Sequence, residues 1–255
     1  MCKLIVHKLP KDIPYINIYP IGDKHIGSKE CDLDLLEKQV KEMLSDPYGY
    51  VVFVGDTIDN GLKNSKTNVY EQTMRPKEQK ETADEIYRPL KDRVLCGTPG
   101  NHCERSEREC DINPLYDLFA RWGIEDRYDN ECAFLKVSLG THPKKKNSQN
   151  AYMGAVIHGT STNKQKAWCY SVDGADFIIN GHTHVPSTQA MGKIVIDPYN
   201  EVIIQKGFRH IVVDSGLNYG GYGIKKQYMP SPPPVKQILT LYGDKKSMKY
   251  TEGEW

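Results

Sequence analysis

Short apolar runs recur along the chain, and each is followed at once by Gly, Asp, Asn or His. The runs have the length of a strand and are rich in β-branched residues, a pattern typical of strands buried on both faces. We therefore predict a sheet structure with polar loops at the ends of its strands. The predicted strands cover residues 15–21, 51–54, 94–96, 155–157, 177–179 and 211–213.

Helical periodicity separates several of these runs. Residues 32–44 place leucine and valine on one stripe, with an aspartate at the start as cap. A second helix is predicted to begin after Asn113 and to end at Gly123, and the polar stretch 71–92 predicts a third helix, broken near Pro89.

The later part of the chain is richer in strand signals. Residues 194–196 and 202–204 flank the turn sequence 197–200, which predicts a hairpin, and residues 237–242 predict a last strand. Because α/β alternation gives way to β-rich sequence, we predict two sheets packed face to face with helices outside. We assign residues 1–255 to a single domain.

Composition limits the class of protein. The chain has 255 residues, 38% of them hydrophobic, and a formal net charge of +1, so no global field demands nucleic acid or a membrane. The seven cysteines form no CxxC pair, which argues against a disulfide framework or a zinc knuckle. Without a signal-like start or an apolar run near ~20 residues, we expect a soluble, cytoplasmic protein with no membrane contact.

Five of the eight histidines lie in five short polar blocks that follow the apolar runs. Each block alone is more often a surface turn or a loop cap. Together they supply carboxylate, amide and imidazole donors without thiolates, which suits manganese, iron or zinc. The blocks are Asp23-Lys24-His25, Gly55-Asp56-Thr57-Ile58-Asp59, Gly100-Asn101-His102, His158-Gly159 and Gly181-His182-Thr183-His184.

The five blocks resemble the motifs DxH, GDxxD, GNH[ED], H and GHxH of the calcineurin-like metallophosphoesterases. The resemblance extends from Asp23 to about Asn218. It implies an α/β fold, a four-layer α/β/β/α sandwich of two mixed sheets flanked by helices. It also implies two divalent metal ions, manganese in the first place and iron, zinc or nickel as alternatives, which activate a bridging hydroxide for attack on a phosphoester.

The same resemblance implies a role for each residue of the blocks. His102 would touch the phosphate and protonate the leaving group. Asp56 would bridge the two ions. One ion would be held by Asp23, His25, Asp56 and His184, and the other by Asp56, Asn101, His158 and His182.

One position departs from the family pattern. The family usually has Glu or Asp after the histidine of GNH, and this chain has Cys103. The carboxylate that orients His102 is therefore expected from Asp59, which matches that role in the phosphoprotein phosphatase branch, or from Glu104. We interpret Cys103 as a packed small apolar residue.

The segment around the first block bears on the substrate. Residues 22–29 resemble the DxHxGS start of nuclease-type members, and Asn60 stands where protein phosphatases carry arginine. This favours a phosphodiesterase or nuclease acting on nucleotide-containing phosphodiesters. The alternatives are a phosphomonoesterase, acting on proteins or small molecules, and a non-catalytic binding module of the same fold.

Basic and aromatic residues supply candidate contacts to such a substrate, a nucleic acid or a nucleotide. We expect Arg105 to meet the phosphate, and Tyr219 and Tyr222 to stack on a base. A solvated charged surface with a flexible tyrosine loop explains the same residues equally well. The other basic residues considered are Lys24, Lys29, Lys63, Lys66, Arg108, residues 144–146 and residues 225–226.

Overall fold

Eleven strands and six α-helices form in the part of the chain that the computed structural model describes. It describes residues 2–63, 65, 68–144, 147–225, 227, 229–230 and 232–255, and for Tyr222 the backbone alone. The strands are β1 (Leu4–Lys8), β2 (Tyr15–Ile21), β3 (Gly49–Val54), β4 (Val94–Thr98), β5 (Ala133–Leu139), β6 (Asn150–Val156), β7 (Phe177–Asn180), β8 (Ser187–Asp197), β9 (Val202–Val212), β10 (Val235–Tyr242) and β11 (Met248–Glu254). The helices are α1 (Leu33–Ser45), α2 (Pro76–Tyr87), α3 (Cys103–Cys110), α4 (Pro114–Arg121), α5 (Thr162–Cys169) and α6 (Gly221–Lys225).

The strands form two mixed sheets. One sheet has the order β1-β5-β6-β7-β9-β8, and the other the order β11-β10-β2-β3-β4. The pairs β2–β3, β3–β4, β6–β7 and β7–β9 are parallel. Parallel strands present their carboxyl ends at one edge of a sheet, and this edge carries the polar blocks.

The alternation of side chains along each strand explains the layers. On β3, Val52 and Val54 pack between the two sheets, while Val51 and Phe53 face the helices. The outer face of the five-stranded sheet is covered by α1, α2 and α4, and α5 covers the other sheet through Cys169. The predicted α/β/β/α sandwich is confirmed.

The predicted helices are present, with their ends set by local chemistry. Asp32 caps α1 by accepting a hydrogen bond from the Leu35 amide at 3.0 Å. Asn113 caps α4 in the same way. The stretch 71–92 is interrupted as predicted, because α2 gives way to a 3₁₀ helix (Arg88–Arg93) that contains Pro89.

Some elements differ from the prediction or were not predicted. The strand predicted at residues 237–242 is not the last, because β10 pairs with β11 in an antiparallel hairpin. The predicted hairpin around residues 197–200 is confirmed and is longer than the apolar sequence indicates, since β8 and β9 pair from Ser187–Val212 to Asp197–Val202. The strands β1 and β5 and the helices α3 and α5 lie outside the predicted elements.

In the part of the chain that the structure describes there is neither a disulfide bond nor a long apolar helix. All seven cysteines, each within the described ranges, are free. Among the described residues, no helix has both the length and the apolar character that crossing a bilayer requires.

Candidate metal centre

Backbone hydrogen bonds join the loops that follow β2 and β3. The Asp23 amide donates to the Gly55 carbonyl at 3.1 Å. The His25 amide donates to the Asp56 carbonyl at 3.0 Å. The first two polar blocks are therefore held side by side before any side chain is considered.

Left-handed backbone marks five of the seven residues predicted as metal ligands. A non-glycine residue in this region costs about 1 kcal/mol or more, and such strain is concentrated at functional sites. Here it turns successive side chains of a short loop toward one point. The five are Asp23 (φ 53°), His25 (φ 45°), Asp56 (φ 47°), His182 (φ 72°) and His184 (φ 57°).

Two positions in the motifs must be glycine, because the carboxylates of Asp56 and Asp23 lie against their backbone. A Cβ on Gly100 would lie 2.1 Å from Asp56 Oδ1, and a Cβ on Gly181 would lie 2.6 Å from Asp23 Oδ2. The glycines leave room for two bonds that hold the carboxylates. The His102 amide donates to Asp56 Oδ1 and the His182 amide to Asp23 Oδ2, both at 2.8 Å.

Asp23, His25 and His184 form the first donor cluster. Their ligand atoms lie within 4.8 Å of one another. The two Nε2 atoms of the histidines are 3.2 Å apart, and His184 Nε2 is 3.3 Å from Asp23 Oδ1. Two imidazole nitrogens and a carboxylate oxygen gathered at these distances are donors that a cation can join.

Asp56, His158, Asn101 and His182 form the second cluster. His158 Nε2 lies 3.1 Å from both Asp56 Oδ2 and Asn101 Oδ1. Its other nitrogen, Nδ1, donates to the Val54 carbonyl at 2.7 Å, which directs Nε2 into the site. His182 Nδ1 lies 2.7 Å from Asn101 Oδ1.

A buried oxygen without a donor shows that these clusters fit divalent cations. Asp23 Oδ1 is buried and accepts no hydrogen bond. The facing nitrogens of His25, His158 and His184 lie 3.3–3.9 Å away. Because a buried charged oxygen is costly unless it is paired or coordinates a metal, a cation between these groups satisfies the arrangement.

Electrostatics keep the carboxylates ionised. Burial raises the pKa of Asp23, but His158 and His184 outweigh it and bring the pKa to about 2. Burial also raises the pKa of Asp56, but His158 and His102 outweigh it, so this pKa lies well below the usual range. Burial lowers the pKa of His158, yet Asp56 and Asp23 raise it to about 10. A cation binding here would replace the proton held by His158.

His102 lies at the edge of the second cluster and faces Asp59. Its Nδ1 is 2.7 Å from the Asp59 carbonyl and 3.1 Å from Asp59 Oδ1. Its Nε2 lies 4.0 Å from Asp56 Oδ2. Ligand atoms of His25, Asp56 and His102 also fall within 4.8 Å of one another, so distance alone does not separate His102 from the other donors.

The two alternatives for the carboxylate beside His102 differ in position. Glu104 Oε2 accepts from Arg108 at 2.5 Å on an exposed face of α3. Cys103 is buried in the core cluster below the helices, and burial raises the pKa of its thiol to about 12. The geometry therefore favours Asp59 over Glu104, and Cys103 packs as a small apolar residue.

Arg105 is the basic residue that contacts His102. Its Nη2 lies 2.8 Å from His102 Nε2, and its Nη1 donates to the Asp59 carbonyl at 2.8 Å. Lys24, considered above as a substrate contact, is buried and donates to the Asp214 carbonyl at 3.2 Å. The interpretation of Lys24 as a substrate contact is wrong, because its ammonium group is enclosed by the fold.

The segment 217–225, a loop followed by α6, lies beside the first polar block. The Asn218 amide donates to the Glu30 carbonyl at 2.9 Å, and the nearby Ser28 amide donates to the His25 carbonyl at 2.9 Å. The Tyr219 side chain is 44% exposed. The Tyr222 side chain lies outside the described residues, as do Lys66, Lys145, Lys146 and Lys226.

Three amide side chains make contacts at the site that the sequence patterns did not predict. Asn60 Nδ2 donates to the His102 carbonyl at 2.8 Å, and its backbone amide donates to Gln79 Oε1 at 2.8 Å. Gln72 Nε2 donates to Asp59 Oδ2 at 2.5 Å. Asn60 adjoins the second block and was within reach of motif analysis, but the two glutamines lie in a separate segment without a motif.

Comparisons with solved structures give distant likenesses. A predicted phosphoesterase from Streptococcus pneumoniae TIGR4 is 14% identical with TM-score 0.40, covering 94% of this chain and 99% of its own. A zinc-complexed Vps29 from Entamoeba histolytica is 14% identical with TM-score 0.45, and the match covers 93% of this chain and 98% of the Vps29 chain. GAP50, the anchor in the inner membrane complex of Plasmodium, is 14% identical with TM-score 0.41, covering 93% and 84%.

These values are too low to carry an inference about function. The search of curated proteins finds no match to the chain. The family model described as calcineurin-like phosphoesterase matches residues 16–186, more than half of the chain, and the protein therefore belongs to the calcineurin-like phosphoesterase family.

Proposed function

We propose that the protein is a metal-dependent hydrolase of phosphodiesters, with nucleotide-containing diesters as its substrate class. The observation that supports this most directly is the convergence of the two donor clusters beside His102, whose Nε2 lies 4.0 Å from Asp56 Oδ2. A full set of donors argues against the non-catalytic binding module, which has no need of a histidine beside the clusters.

The clusters would hold two divalent ions, manganese in the first place. Bound there, the ions supply Lewis-acid polarisation of the phosphoryl group and a nucleophile at neutral pH. Asp56 faces both clusters and is the residue proposed to bridge them. Asp23, His25, Asp56 and His184 would hold one ion, and Asp56, Asn101, His158 and His182 the other.

His102 and Arg105 would handle the substrate. The Asp59 carbonyl and carboxylate both accept, so they place the His102 proton on Nδ1 in the resting state. Once protonated at Nε2, the ring can deliver that proton to the departing oxygen. Arg105 Nη2 lies 2.8 Å from His102 Nε2. On substrate binding the guanidinium would move to donate to a non-bridging phosphate oxygen, which would free Nε2 for the proton.

The preference for diesters rests on the surroundings of the first block. Residues 22–29 resemble nuclease-type members, and Asn60 replaces the arginine of protein phosphatases. The half-exposed Tyr219 ring belongs to the loop that borders this block. A nucleotide whose phosphate lies at the clusters would bring its base toward that loop, where an aromatic face contributes about 1–3 kcal/mol.

A substrate screen tests the proposal. Manganese-loaded protein is compared on bis-p-nitrophenyl phosphate, p-nitrophenyl phosphate, single-stranded DNA and cyclic nucleotides, with Asp56→Asn as the inactive control. We expect kcat/KM to be highest for a diester and to vanish in the control. Absence of hydrolysis of every substrate by metal-loaded wild type would favour the binding module instead.

Phosphomonoesterase activity is the second candidate, and Arg105 is the observation that favours it. A monoester carries an additional negative charge, which a guanidinium beside the donor clusters would neutralise. In the same screen, kcat/KM for p-nitrophenyl phosphate well above that for any diester or nucleic acid would establish this alternative.

A further inference from the structure

Gln79 is a buried glutamine on α2 whose amide orientation is determined by backbone groups. Its Oε1 accepts from the Asn60 amide at 2.8 Å, and its Nε2 donates to the Met74 carbonyl at 2.9 Å. An N–H only donates and a carbonyl only accepts, so the opposite orientation of the amide would place like groups together at both contacts.

The orientation of the Gln79 amide in turn determines the orientation of the Gln72 amide. Gln79 Nε2 also donates to Gln72 Oε1 at 2.7 Å. The Gln72 amide oxygen is thereby engaged, and its NH₂ group is directed at Asp59 Oδ2, to which it donates at 2.5 Å. The acceptor is a carboxylate, and hydrogen bonds to ionised acceptors belong to the stronger class.

The second oxygen of Asp59 faces two imidazoles. Asp59 Oδ1 is 3.1 Å from His102 Nδ1 and 3.4 Å from His25 Nδ1. Together with the Asp59 carbonyl, which lies 2.7 Å from His102 Nδ1, this carboxylate favours Nδ1–H on His102 and leaves its Nε2 toward the donor clusters. Arg105 supports this tautomer of His102, because a guanidinium can only donate to Nε2.

We propose that Gln72 is a positioning residue that acts through Asp59 to set the tautomer and orientation of His102, with Gln79 as its anchor on α2. It supplies part of the support that the family obtains from the carboxylate after GNH, which is absent at Cys103. The effect on the tautomer is independent of turnover, while the effect on catalysis rests on the proposed function.

The tautomer can be measured without metal or substrate. Metal-free protein labelled with ring-¹⁵N histidine gives ring spectra, and His102→Gln identifies the signals of His102. We expect the Nδ1–H form of His102 in the wild type and in Gln39→Ala, which removes a buried glutamine of α1 that makes none of these contacts. Gln72→Ala should give a mixture of tautomers, and an unchanged Nδ1–H signal would overturn the proposal.

Leaving-group dependence measures the catalytic consequence. The p-nitrophenyl and phenyl esters of thymidine 5′-phosphate differ in how much the departing oxygen needs a proton. Because a small misplacement of a catalytic group can cost up to ~100-fold, Gln72→Ala should lower kcat for the phenyl ester by about 10- to 100-fold, and kcat for the p-nitrophenyl ester much less. Equal losses on both esters would overturn a role through His102.

A variant that does not touch Asp59 tests the chain of contacts. In Gln79→Glu the acceptor for Asn60 remains, but position 79 no longer donates to Gln72, and its carboxylate competes with Asp59 for the Gln72 NH₂ group. We expect the same selective loss of kcat on the phenyl ester as in Gln72→Ala. A kcat as little changed as in Gln39→Ala would contradict the role of Gln79 as the anchor of Gln72. If the wild type hydrolyses only monoesters, p-nitrophenyl and phenyl phosphate give the same comparison, so failure of the diester proposal stays distinct from failure of this one.

Discussion

Asp56 is held in place by its own backbone and by close neighbours. Its backbone is left-handed, Gly100 packs against Oδ1, and Oδ2 lies 3.1 Å from His158 Nε2. An amide at this position keeps the shape and removes the charge. We expect Asp56→Asn to weaken manganese binding at both clusters by about 100-fold or more, since even partners of metal ligands contribute 10- to 100-fold.

Elemental analysis after manganese loading checks this prediction. Asp84→Asn is the matched control, because Asp84 is a buried carboxylate on α2 that pairs with Arg88 and Arg121 rather than with the clusters. Two ions per chain in Asp56→Asn, with full activity, would remove Asp56 from its proposed place between the ions.

His102 is expected to act on the leaving group without being a permanent ligand. His102→Gln should keep the bound manganese and lower kcat by about 100-fold or more, a typical general-acid contribution. A p-nitrophenolate leaving group should be less sensitive than an alkoxide. Measurement of metal content together with kcat decides the role, since loss of metal with a small loss of rate would make His102 a ligand instead.

Cys103 offers a contrast with its neighbour in the chain. Its side chain is 1% exposed and packs among apolar residues of the helices. Cys103→Ala should lower the free energy of unfolding by about 1 kcal/mol, the cost of a small cavity, and leave kcat/KM nearly unchanged. If the variant folds normally but is inactive, the thiol has a chemical role that burial does not suggest.

The elements that were predicted correctly are those whose own sequence has a clear apolar pattern. The strands β2, β3 and β7 are continuous apolar runs, and α1 has an apolar stripe behind a capping aspartate. The missed elements depend on their neighbours. The helix α3 has only Cys103 and Ser106 buried, and β11 alternates polar residues along an edge, so packing and pairing rather than local pattern define them.

The β8–β9 hairpin extends beyond the rest of its sheet. Among the described strands, β9 pairs with β7 only through residues 209–212, while the pairing with β8 continues to Asp197 and Val202. Ile194, Ile196 and Ile203 are about three-quarters exposed there. A two-stranded ribbon is marginally stable alone.

We therefore expect unequal amide hydrogen exchange along β9. Peptides covering residues 202–206 should exchange at least ~100-fold faster than peptides covering residues 209–212, because local opening costs less than global unfolding. Exchange measured by mass spectrometry, with β7 as the protected reference, checks this. Equal protection along β9 in solution would mean that another surface covers the exposed isoleucines.

At the scale of the whole molecule, the candidate site is assembled from the loops after β2, β3, β4, β6 and β7. The motifs named candidate donors in each of these loops, and the structure brings Asp and His side chains of these motifs within reach of one another. The Gln79–Gln72–Asp59 chain could not be predicted in the same way. It depends on α2 packing across the second loop, so that Gln79 meets the Asn60 amide, and this contact has no trace in local sequence.

Metal binding should stabilise the whole fold, because the donors that it joins come from five separate loops and include Asp23 Oδ1, a buried oxygen that accepts no hydrogen bond. A ligand that binds only the folded state at about 100 times its Kd adds about 2.7 kcal/mol. For a domain of this size each kcal/mol raises Tm by about 2–4 °C, so manganese should raise Tm by about 5–10 °C over protein in EDTA. Differential scanning calorimetry measures the shift, and Asp56→Asn should lose most of it while Asp84→Asn keeps it. An equal Tm with and without manganese, at a metal concentration where elemental analysis finds two ions bound, would mean that the ions do not bind at these loops.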